Sequence, residues 1–367
     1  MKNMSLDEIE DIAISEHATQ TNTAKCQSCG ANLTFSPEKQ ILECEHCGST
    51  KSFDMSNSEE LDFSNLLKSA APWSEETRVY HCSNCGSKEI LTSTDIAKSC
   101  SFCGTSNIVV TEELAGLKPN AVVPFHITHE VASSNAVAWA QKRFFASEKF
   151  KKSISTDTVN GLYNPAFTFD TNTFSTYSGR LGIRKTRTVR VNGKTVTQSY
   201  MVYFNIGGTY SSFYDDILVQ ASTQIPQASL DKLQPFETNK AMNYTNEFLH
   251  GYTASQYSKD GTACWDTARG MIDRNIRKSI LAKYTYTTVE SLTINTNYNN
   301  IKYKYLLLPI YVGHFNFKQK LYNFFVSGFN GKVTGKVPLS PIKIGITVAL
   351  ALAALFFLVK LTLNLMN

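Results

Sequence analysis

Eight cysteines in the first third of the chain stand in two copies of one pattern. Each copy is CxxC, 14 intervening residues and a second CxxC, and a glycine follows every pair. Zn²⁺ takes four ligands in a tetrahedron and binds thiolate sulfur readily. Paired CxxC turns at this separation are typical of a four-cysteine zinc site. The candidate ligands are therefore Cys26, Cys29, Cys44 and Cys47 in the first copy, and Cys82, Cys85, Cys100 and Cys103 in the second.

This pattern predicts two structural Zn²⁺ ions. Four thiolates leave no open position for water, so neither site is expected to be catalytic. Disulfides are disfavoured because no signal peptide precedes the cysteines, and a redox CxxC would need a thioredoxin-like context that we do not find. His46 lies inside a CxxC turn and His81 lies just before one. Each is expected to face solvent or to contact a ligand without binding the metal itself. The ninth cysteine, Cys264, is expected to be a buried small apolar residue.

The elements that position these ligands are two zinc ribbons. The glycine after each pair permits the positive φ that a tight turn needs, and a short hairpin is expected within 31–43 and within 87–99. The chain has 367 residues, of which 42% are hydrophobic, which is enough for a core outside the ribbons. The predicted domains are an acidic tail at 1–21, ribbon 1 at 22–54, a linker at 55–76, ribbon 2 at 77–110, a cytosolic body at 111–340 and a transmembrane helix at 342–366.

The body reads as a mixture of helices and strands, so the expected fold class is α+β. Helices are predicted at 128–147, with Thr128 as the N-cap, and at 257–283. Between them, Asn192-Gly193 predicts a tight hairpin among several short strands. Strands separated by turns are predicted from 291 to 337, with one turn at 328–331.

The C-terminal segment has the character of a membrane span. Residues 344–359 are uncharged and apolar, and apolar residues continue beyond Lys360. A helix of this length can cross a bilayer if Lys360 reaches the far interface. Seven lysines and no acidic residue lie within 301–343, so the positive-inside rule predicts a single-pass, tail-anchored protein whose bulk is cytoplasmic. The same lysines are expected to face anionic headgroups, with solvated strand faces as the alternative.

A second cluster of cations surrounds the Asn192-Gly193 turn. It is a candidate contact for anionic lipid or phosphate, although charged hairpin edges also serve to prevent aggregation. Its members are Arg180, Arg184, Lys185, Arg187, Arg190 and Lys194.

The ribbons themselves lack the positive charge that nucleic-acid binding needs. Residues 22–51 carry three lysines against three glutamates, and residues 78–113 carry three cations against four acidic residues. Protein docking is therefore the favoured role, and nucleic acid is an unfavoured partner.

The chain has no Walker A, GxSxG, HExxH or GxGxxG sequence. Asp215-Asp216 is an acidic pair that could hold a metal but more often caps a turn. We expect no enzyme.

Further motifs follow the cysteines in a fixed order, and together they resemble a known family. They are Val123-Pro124-Phe125, residues 161–170 (GLYNPAFTFD), Tyr177-Ser178-Gly179, residues 213–219 (FYDDILV), Leu308-Pro309-Ile310-Tyr311 and residues 326–335 (VSGFNGKVTG). The chain is similar to bacterial tandem zinc-ribbon membrane proteins (TFIIB-type-like ribbons) often encoded beside phage-shock-type and flotillin-like (SPFH) proteins. It has Pro165-Ala166-Phe167 where that family usually has Pro-Phe-Trp.

The resemblance implies a role in recruiting such partners to the membrane under envelope stress. Many members carry an automatic label as a primosomal or replication-restart helicase, which the missing Walker A sequence argues against. The sequence therefore favours a non-enzymatic, membrane-anchored scaffold or adaptor. A membrane-tethered nucleic-acid-binding protein without helicase activity is the alternative, and a hydrolase using Asp215 and Asp216 is a weaker third reading.

Overall fold

The structure is a computed structural model. It describes residues 25–66, 77–92, 99–106, 108–111, 117–154, 159–191, 193–317 and 320–366. The predicted N-terminal tail and the second half of the predicted linker lie outside these residues. The described residues confirm an α+β fold with two four-cysteine clusters and one apolar helix at the C-terminal end.

Ribbon 1 contains a small sheet of its own. Its strands are β1 (Thr34–Ser36), β2 (Ile41–Glu43) and β3 (Thr50–Lys51), in the order β1-β2-β3. The antiparallel pair β1–β2 is the hairpin expected between the two CxxC turns, and it places Phe35 opposite Leu42. Both side chains are buried, because they form the packed face of this short hairpin.

A second sheet joins ribbon 2 to the body. Among the described residues it has 12 strands, whose path runs β11-β8-β13-β9-β12-β6-β5-β7, with β10 on β9, β14 on β13, β15 on β14 and β4 on β13. The strands are β4 (Leu61–Asp62), β5 (Thr77–Cys82), β6 (Lys88–Thr92), β7 (Ile108–Thr111), β8 (Ala121–Val122), β9 (Val159–Val191), β10 (Lys194–Gln220), β11 (Met242–Asn243), β12 (Thr253–Ser255), β13 (Thr288–Phe317), β14 (Lys320–Ser327) and β15 (Val333–Gly335).

Ribbon 2 differs from the expected arrangement. Strand β6 pairs antiparallel with β5, the strand before it in the chain, so that the Cys82–Cys85 turn closes this hairpin. The hairpin expected within 87–99 falls partly on 93–98, outside the described residues. On its other side β6 pairs with β12, which in turn pairs with β9, and ribbon 2 is thereby continuous with the body.

Three strands are far longer than the sequence suggested. The separate short strands expected between 162 and 219 merge into β9 and β10, and those expected between 291 and 317 merge into β13. Residues 171–178 of β9 alternate between buried and exposed, with Thr171, Thr173, Ser175 and Tyr177 on the covered face. Most of the buried positions in this segment are short polar residues, so the alternation contains no run of apolar residues. A search for hydrophobic periodicity therefore could not detect how long these strands are.

The hairpin of β9 and β10 extends beyond the rest of the sheet. Strand β13 accompanies β9 only as far as Gly182, whereas β10 accompanies it to Val191. We call residues 183–191 and 194–202, which form a two-stranded ribbon, the arm. Gly193 has φ +77° at its turn, which confirms the hairpin predicted from the Asn-Gly pair; Asn192 is outside the described residues.

Six α-helices lie around the sheets in the described residues. They are α1 (Phe63–Leu66), α2 (His129–Gln141), α3 (Glu148–Ser153), α4 (Gln227–Leu233), α5 (Gly261–Leu281) and α6 (Pro341–Met366). The predicted N-cap is confirmed, since the Thr128 hydroxyl accepts from the Val131 N–H. The first long helix ends at Gln141 instead of 147, and the chain then turns into α3.

Helix α5 covers one face of the long strands. Its buried side chains, including Trp265, Ile272 and Ile276, pack in one cluster with Phe167, Phe169 and Tyr177 of β9. Cys264 belongs to this cluster and is fully buried, as predicted, and burial raises the pKa of its thiol to about 12. Residues 165–167 are also in the core, so the departure from the Pro-Phe-Trp sequence does not alter a surface.

Candidate metal centres

The eight predicted ligands come together in two groups of four. The sulfurs of each group lie within 4.8 Å of one another. In ribbon 1 the Sγ–Sγ distances are 3.4 Å for Cys26–Cys47 and 3.5 Å for Cys29–Cys44. In ribbon 2 both Cys82–Cys103 and Cys85–Cys100 are 3.6 Å apart. Zn–S bonds of about 2.3 Å in a tetrahedron separate sulfurs by roughly 3.8 Å, whereas a disulfide brings them to about 2.05 Å.

All four CxxCG turns have one geometry. The amide of each glycine donates to the carbonyl of the first cysteine of its turn, as in Gly30 N to Cys26 O at 2.8 Å. The glycine φ values are +74° for Gly30 and Gly48, +75° for Gly86 and +70° for Gly104. This is the left-handed region that glycine adopts without strain, so the predicted reason for the glycines is confirmed. The turn aims both sulfurs of a pair at the same point.

Four thiolates this close would repel one another, so all four thiols can ionise only if a cation lies between them. The Cys100 side chain, hydrogen-bonded to Cys85, lowers the pKa of Cys85 to about 4, and Ser87 adds to this. The pKa of Cys100 rises, first because of Cys85 and then because of burial. One thiolate is therefore favoured at the expense of its neighbour. A divalent ion such as Zn²⁺ at the centre would remove this conflict, and the donor set and spacing fit it.

Ribbon 1 keeps its ligand turns at the surface. Cys29 and Cys47 are exposed, and so are Glu45 and His46 between the last two ligands. The opposite side of the ribbon packs on the body, where the Phe35 ring lies 5.4 Å from that of Phe248. His46 is exposed and outside the four-cysteine group, in agreement with its predicted role.

Ribbon 2 buries the corresponding turn. Phe102 lies between its last two ligands, is fully buried, and belongs to a core cluster that includes Leu308 and Phe325. Glu89 of β6 is also buried, and its carboxylate accepts from the Ser101 N–H at 2.9 Å and from the Ser101 hydroxyl at 2.8 Å. Ribbon 2 is thus part of the core of the body.

A cleft of about 640 Å³ separates the two ribbons on one side of the body. Ribbon 1 contributes Glu43 and Glu45, ribbon 2 contributes Glu89, and the start of α2 contributes His129 and Glu130. Glu43 is paired with Lys39, and burial raises the pKa of Glu89, so Glu45 and Glu130 give this cleft its acidic character.

A third group of titratable residues lies where the acidic pair was noted. Carboxylates of Glu60, Asp170 and Asp215 are within 4.8 Å of one another. Burial, and then the hydrogen bond to Glu60, raises the pKa of Asp170 to about 7. The ammonium of Lys304 already supplies a cation here, 3.3 Å from Glu60 and 3.6 Å from Asp216. Asp216, at φ +49°, occupies a bulge in β10 and donates its N–H to Asp170.

Lys304 corrects one expectation. It is 3% exposed and so cannot lie against lipid headgroups with the other lysines of 301–343. Its charge instead balances the half-buried carboxylates of Glu60 and Asp216.

The structure divides the six cations of the basic hairpin between two faces. Side chains alternate along a strand, so Arg180, Arg184 and Arg190 share one face of β9. Lys185 and Arg187 share the other, and Lys194 joins them because it pairs with Val191. Arg180 is also bound to Glu290 at 3.3 Å.

The face with Lys185 and Arg187 continues toward the end of α5. That end is fixed at the base of the arm by the Tyr177–Tyr284 hydroxyl contact of 2.8 Å. A cavity of about 460 Å³ there is lined by Arg274, Arg277, Lys278, Leu281, Ala282, Tyr284 and Tyr286. The sequence reading noted the hairpin cations but missed these helical ones, which are separated from the hairpin by some 80 positions of chain.

Helix α6 is the one candidate membrane span in the described residues. Its apolar part, Pro341–Thr362, has 22 residues and none of it is buried. At about 1.5 Å per residue it would measure roughly 33 Å, close to the thickness of a bilayer core. Its length, composition and exposure are consistent with a single-pass anchor.

Comparison with known proteins identifies a relative over most of the chain. The chain is 26% identical over 318 residues to the uncharacterized protein YdjG of Bacillus subtilis, an overlap that covers 86% of this chain and 90% of that protein. No family model matches the sequence, and no solved structure matches the chain. An overlap of this length must include the second four-cysteine group and most of the body.

Proposed function

We propose that this protein is a non-enzymatic, membrane-anchored scaffold whose zinc ribbons bind protein partners. The observation that carries the proposal is the pairing of an exposed metal-ordered ribbon with an exposed apolar helix on one chain. A zinc ribbon gives a small surface a fixed shape without a large core. The exposed residues of its turns, Glu45 and His46, and the adjoining acidic cleft form the partner-binding surface.

The proposed location is the cell membrane, with the bulk of the chain in the cytoplasm. Six lysines of 301–343 besides Lys304 support this orientation through the positive-inside rule. Thiolate zinc sites also suit a reducing compartment. The family resemblance nominates SPFH or flotillin-like proteins and phage-shock-type proteins as the partners, and envelope-stress maintenance as the setting.

The proposal is tested by cross-linking in host membranes. Full-length protein is compared with a Glu45→Lys/His46→Glu variant, which reverses charge on the exposed turn of ribbon 1 and leaves the cysteines intact. The matched control is Asp266→Lys on α5, an exposed residue far along the chain from the ribbons. Partners captured by the parent and the control, and lost from the ribbon variant, support the scaffold. Identical captures from all three proteins refute docking through ribbon 1.

A second candidate is the binding of nucleic acid by the arm. The observation in its favour is the combination of cations and tyrosines on and beside the arm. The guanidinium of Arg187 lies 5.6 Å from the ring centre of Tyr200 within the arm, and next to its base that of Arg180 lies 5.2 Å from Tyr203. Basic grooves with aromatic stacking partners are typical of single-strand binders. This candidate makes the chain a membrane-tethered nucleic-acid-binding protein.

Salt dependence decides between the two candidates. Because Lys185, Arg187 and Lys194 share one face of the arm, single-stranded DNA on that face should give a slope of log K against log salt near −2, from about −0.7 per phosphate contact. The Lys185→Gln/Arg187→Gln variant should flatten that slope. No binding of single-stranded DNA or RNA at low salt eliminates the candidate, and the scaffold proposal is unaffected by it.

A further inference from the structure

The turn between α2 and α3 carries an exposed apolar pair next to the first residue of α6. Phe144 is 64% exposed and Phe145 is 39% exposed. Their rings contact one another, with centroids 5.1 Å apart. Large apolar side chains exposed together are uncommon on a soluble protein unless something covers them.

Hydrogen bonds hold this turn against the segment that leads into α6. The Ser340 N–H donates to the Phe145 carbonyl at 2.8 Å, and the Ser147 N–H donates to the Pro338 carbonyl at 2.9 Å. Lys343, in the first turn of α6, donates to the Phe144 carbonyl at 3.1 Å. The two phenylalanines are therefore at the level of the first turn of the apolar helix.

The turn is fixed to the body as well. Ser147 caps α3 by accepting from the Phe150 N–H, and the fully buried Phe150 ring lies 5.4 Å from that of Phe315. A segment held from both sides cannot fold its apolar pair inward. The exposed pair is consequently a built feature of this surface.

Apolar and basic residues surround the pair in the arrangement of a membrane interface. Leu339 is 54% exposed and Ile342 is 73% exposed, which extends the apolar surface to α6. The exposed cations around it are Lys142, Arg143, Lys149, Lys152 and Lys336. Glu148 is the one acidic residue in 142–152, and it is paired with Lys343 and Lys151. Aromatic rings at the boundary with cations beside them match the anionic headgroup region of a bilayer.

We propose that the α2–α3 turn inserts Phe144 and Phe145 into the bilayer interface beside α6, docking the body on the membrane. This inference rests on the proposed anchoring by α6, and continuity with that helix is what selects lipid as the occupant. Two contacts, one helix and one turn, fix the tilt of the body where a single helix would leave it free. The docked surface is distinct from the ribbons and the arm.

The test uses the full-length protein in vesicles of phosphatidylcholine and phosphatidylglycerol, with and without bromine on the acyl chains, which quenches nearby tryptophan. Three variants each add one tryptophan: Phe144→Trp in the turn, Phe356→Trp within α6, and Phe174→Trp on β9. Phe174 is the matched control because it is also an exposed phenylalanine, 44% accessible, and lies on the uncovered face of the long strands. Emission of the parent protein, with its three native tryptophans, is subtracted.

Docking predicts that bromine lowers the added emission roughly twofold or more for Phe144→Trp and for Phe356→Trp, and leaves that of Phe174→Trp unchanged. If Phe356→Trp is quenched while Phe144→Trp behaves as Phe174→Trp does, docking is wrong and the anchor stands. If Phe356→Trp is not quenched, α6 is outside the bilayer and both proposals fail.

In a second measurement, vesicles should protect the Lys142 and Arg143 peptide bonds from trypsin, and Phe144→Ser/Phe145→Ser should remove that protection. Equal cleavage of the parent in vesicles and in detergent contradicts docking.

Discussion

The two zinc ribbons share one ligand pattern and one turn geometry, yet they are built into the molecule differently. Ribbon 1 has a separate three-stranded sheet and exposes two of its four ligands, whereas ribbon 2 contributes strands to the 12-stranded sheet and exposes none fully. The difference is concentrated in the last CxxC turn. Glu45 and His46 stand there in ribbon 1, and Ser101 and Phe102 in ribbon 2.

This comparison separates two uses of the same metal site. In ribbon 2 a bound metal would order a turn whose Phe102 fills part of the core, so the metal and the body would support each other. In ribbon 1 a bound metal would order an exposed surface, behind which Phe35 packs on the body. A repeated motif therefore does not imply a repeated role, and the residues between the ligands decide which role each copy has.

Loss of one ligand should produce the largest difference between the ribbons. We expect Cys103→Ser to unfold much of the body, because structural zinc in small domains is worth about 10 kcal/mol and ribbon 2 is joined to the sheet. Cys47→Ser should leave the main unfolding transition of the body nearly in place. The measurement is thermal unfolding of the detergent-solubilised chain followed by tryptophan emission. An equal fall in both variants would show that ribbon 1 is as integral as ribbon 2.

Alanine at the turn glycines should give the next largest difference. Both Gly30 and Gly104 have positive φ, which costs a non-glycine residue about 1–2 kcal/mol. A Cβ at Gly104 would also come 2.2 Å from His314 Nε2, while a Cβ at Gly30 meets nothing within 4 Å. Gly104→Ala should therefore cost about 3 kcal/mol in denaturant unfolding and Gly30→Ala about 1 kcal/mol.

The His314→Ala background provides the control for this pair. Removing the imidazole should return the cost of Gly104→Ala to that of Gly30→Ala. If the extra cost persists without His314, the close packing of ribbon 2 on β13 is not its cause.

Metal release should distinguish the ribbons by rate. With a chromogenic chelator we expect two phases of one zinc equivalent each, the faster from ribbon 1 because Cys29 and Cys47 are exposed. Local opening that differs by about 1.4 kcal/mol separates the phases roughly tenfold. Cys47→Ser should remove only the fast phase. A single phase of two equivalents would mean that the ribbons open together.

The smallest effect concerns one carboxylate in each ribbon. Glu89→Gln removes one of two acceptors that hold Ser101 in a buried site, and should cost about 1–2 kcal/mol. Glu45→Gln is its surface counterpart and should change the unfolding free energy by less than about 0.5 kcal/mol. Urea unfolding measures the change in unfolding free energy for each variant. Equal losses would contradict the inference that Glu89 contributes more because it is buried.

The sequence predicted the parts of the fold that depend on local chemistry. Ligand spacing, the glycine conformation, the Thr128 cap and the Asn-Gly hairpin are set within a few residues, and each is found as expected. It did not predict the length of β9, β10 and β13, because Thr, Ser and Asn on a solvated face carry little strand signal. Nor did it predict that β12, more than 140 positions after β6, would join ribbon 2 to the body.

One clue to the difference between the ribbons was present in the sequence. Phe102 is a large apolar residue inside a CxxC turn, where the other three turns have polar residues. Such a residue indicates a turn that faces a core. The Lys142-Arg143-Phe144-Phe145 segment was likewise visible, but only its hydrogen bonds to 338–340 show that it lies beside α6.

The arm has a consequence for geometry at charged surfaces. Its nine residues per strand reach roughly 30 Å past the end of β13, at about 3.3 Å each. Its five cations are divided between opposite faces, with three on one face (Lys185, Arg187 and Lys194) and two on the other (Arg184 and Arg190), so a flat anionic surface can engage at most three of them at once. The remaining two then point away and stay available to a second anion. A two-stranded arm of this kind is bivalent. A molecule that carries it can link two anionic bodies without any change of shape.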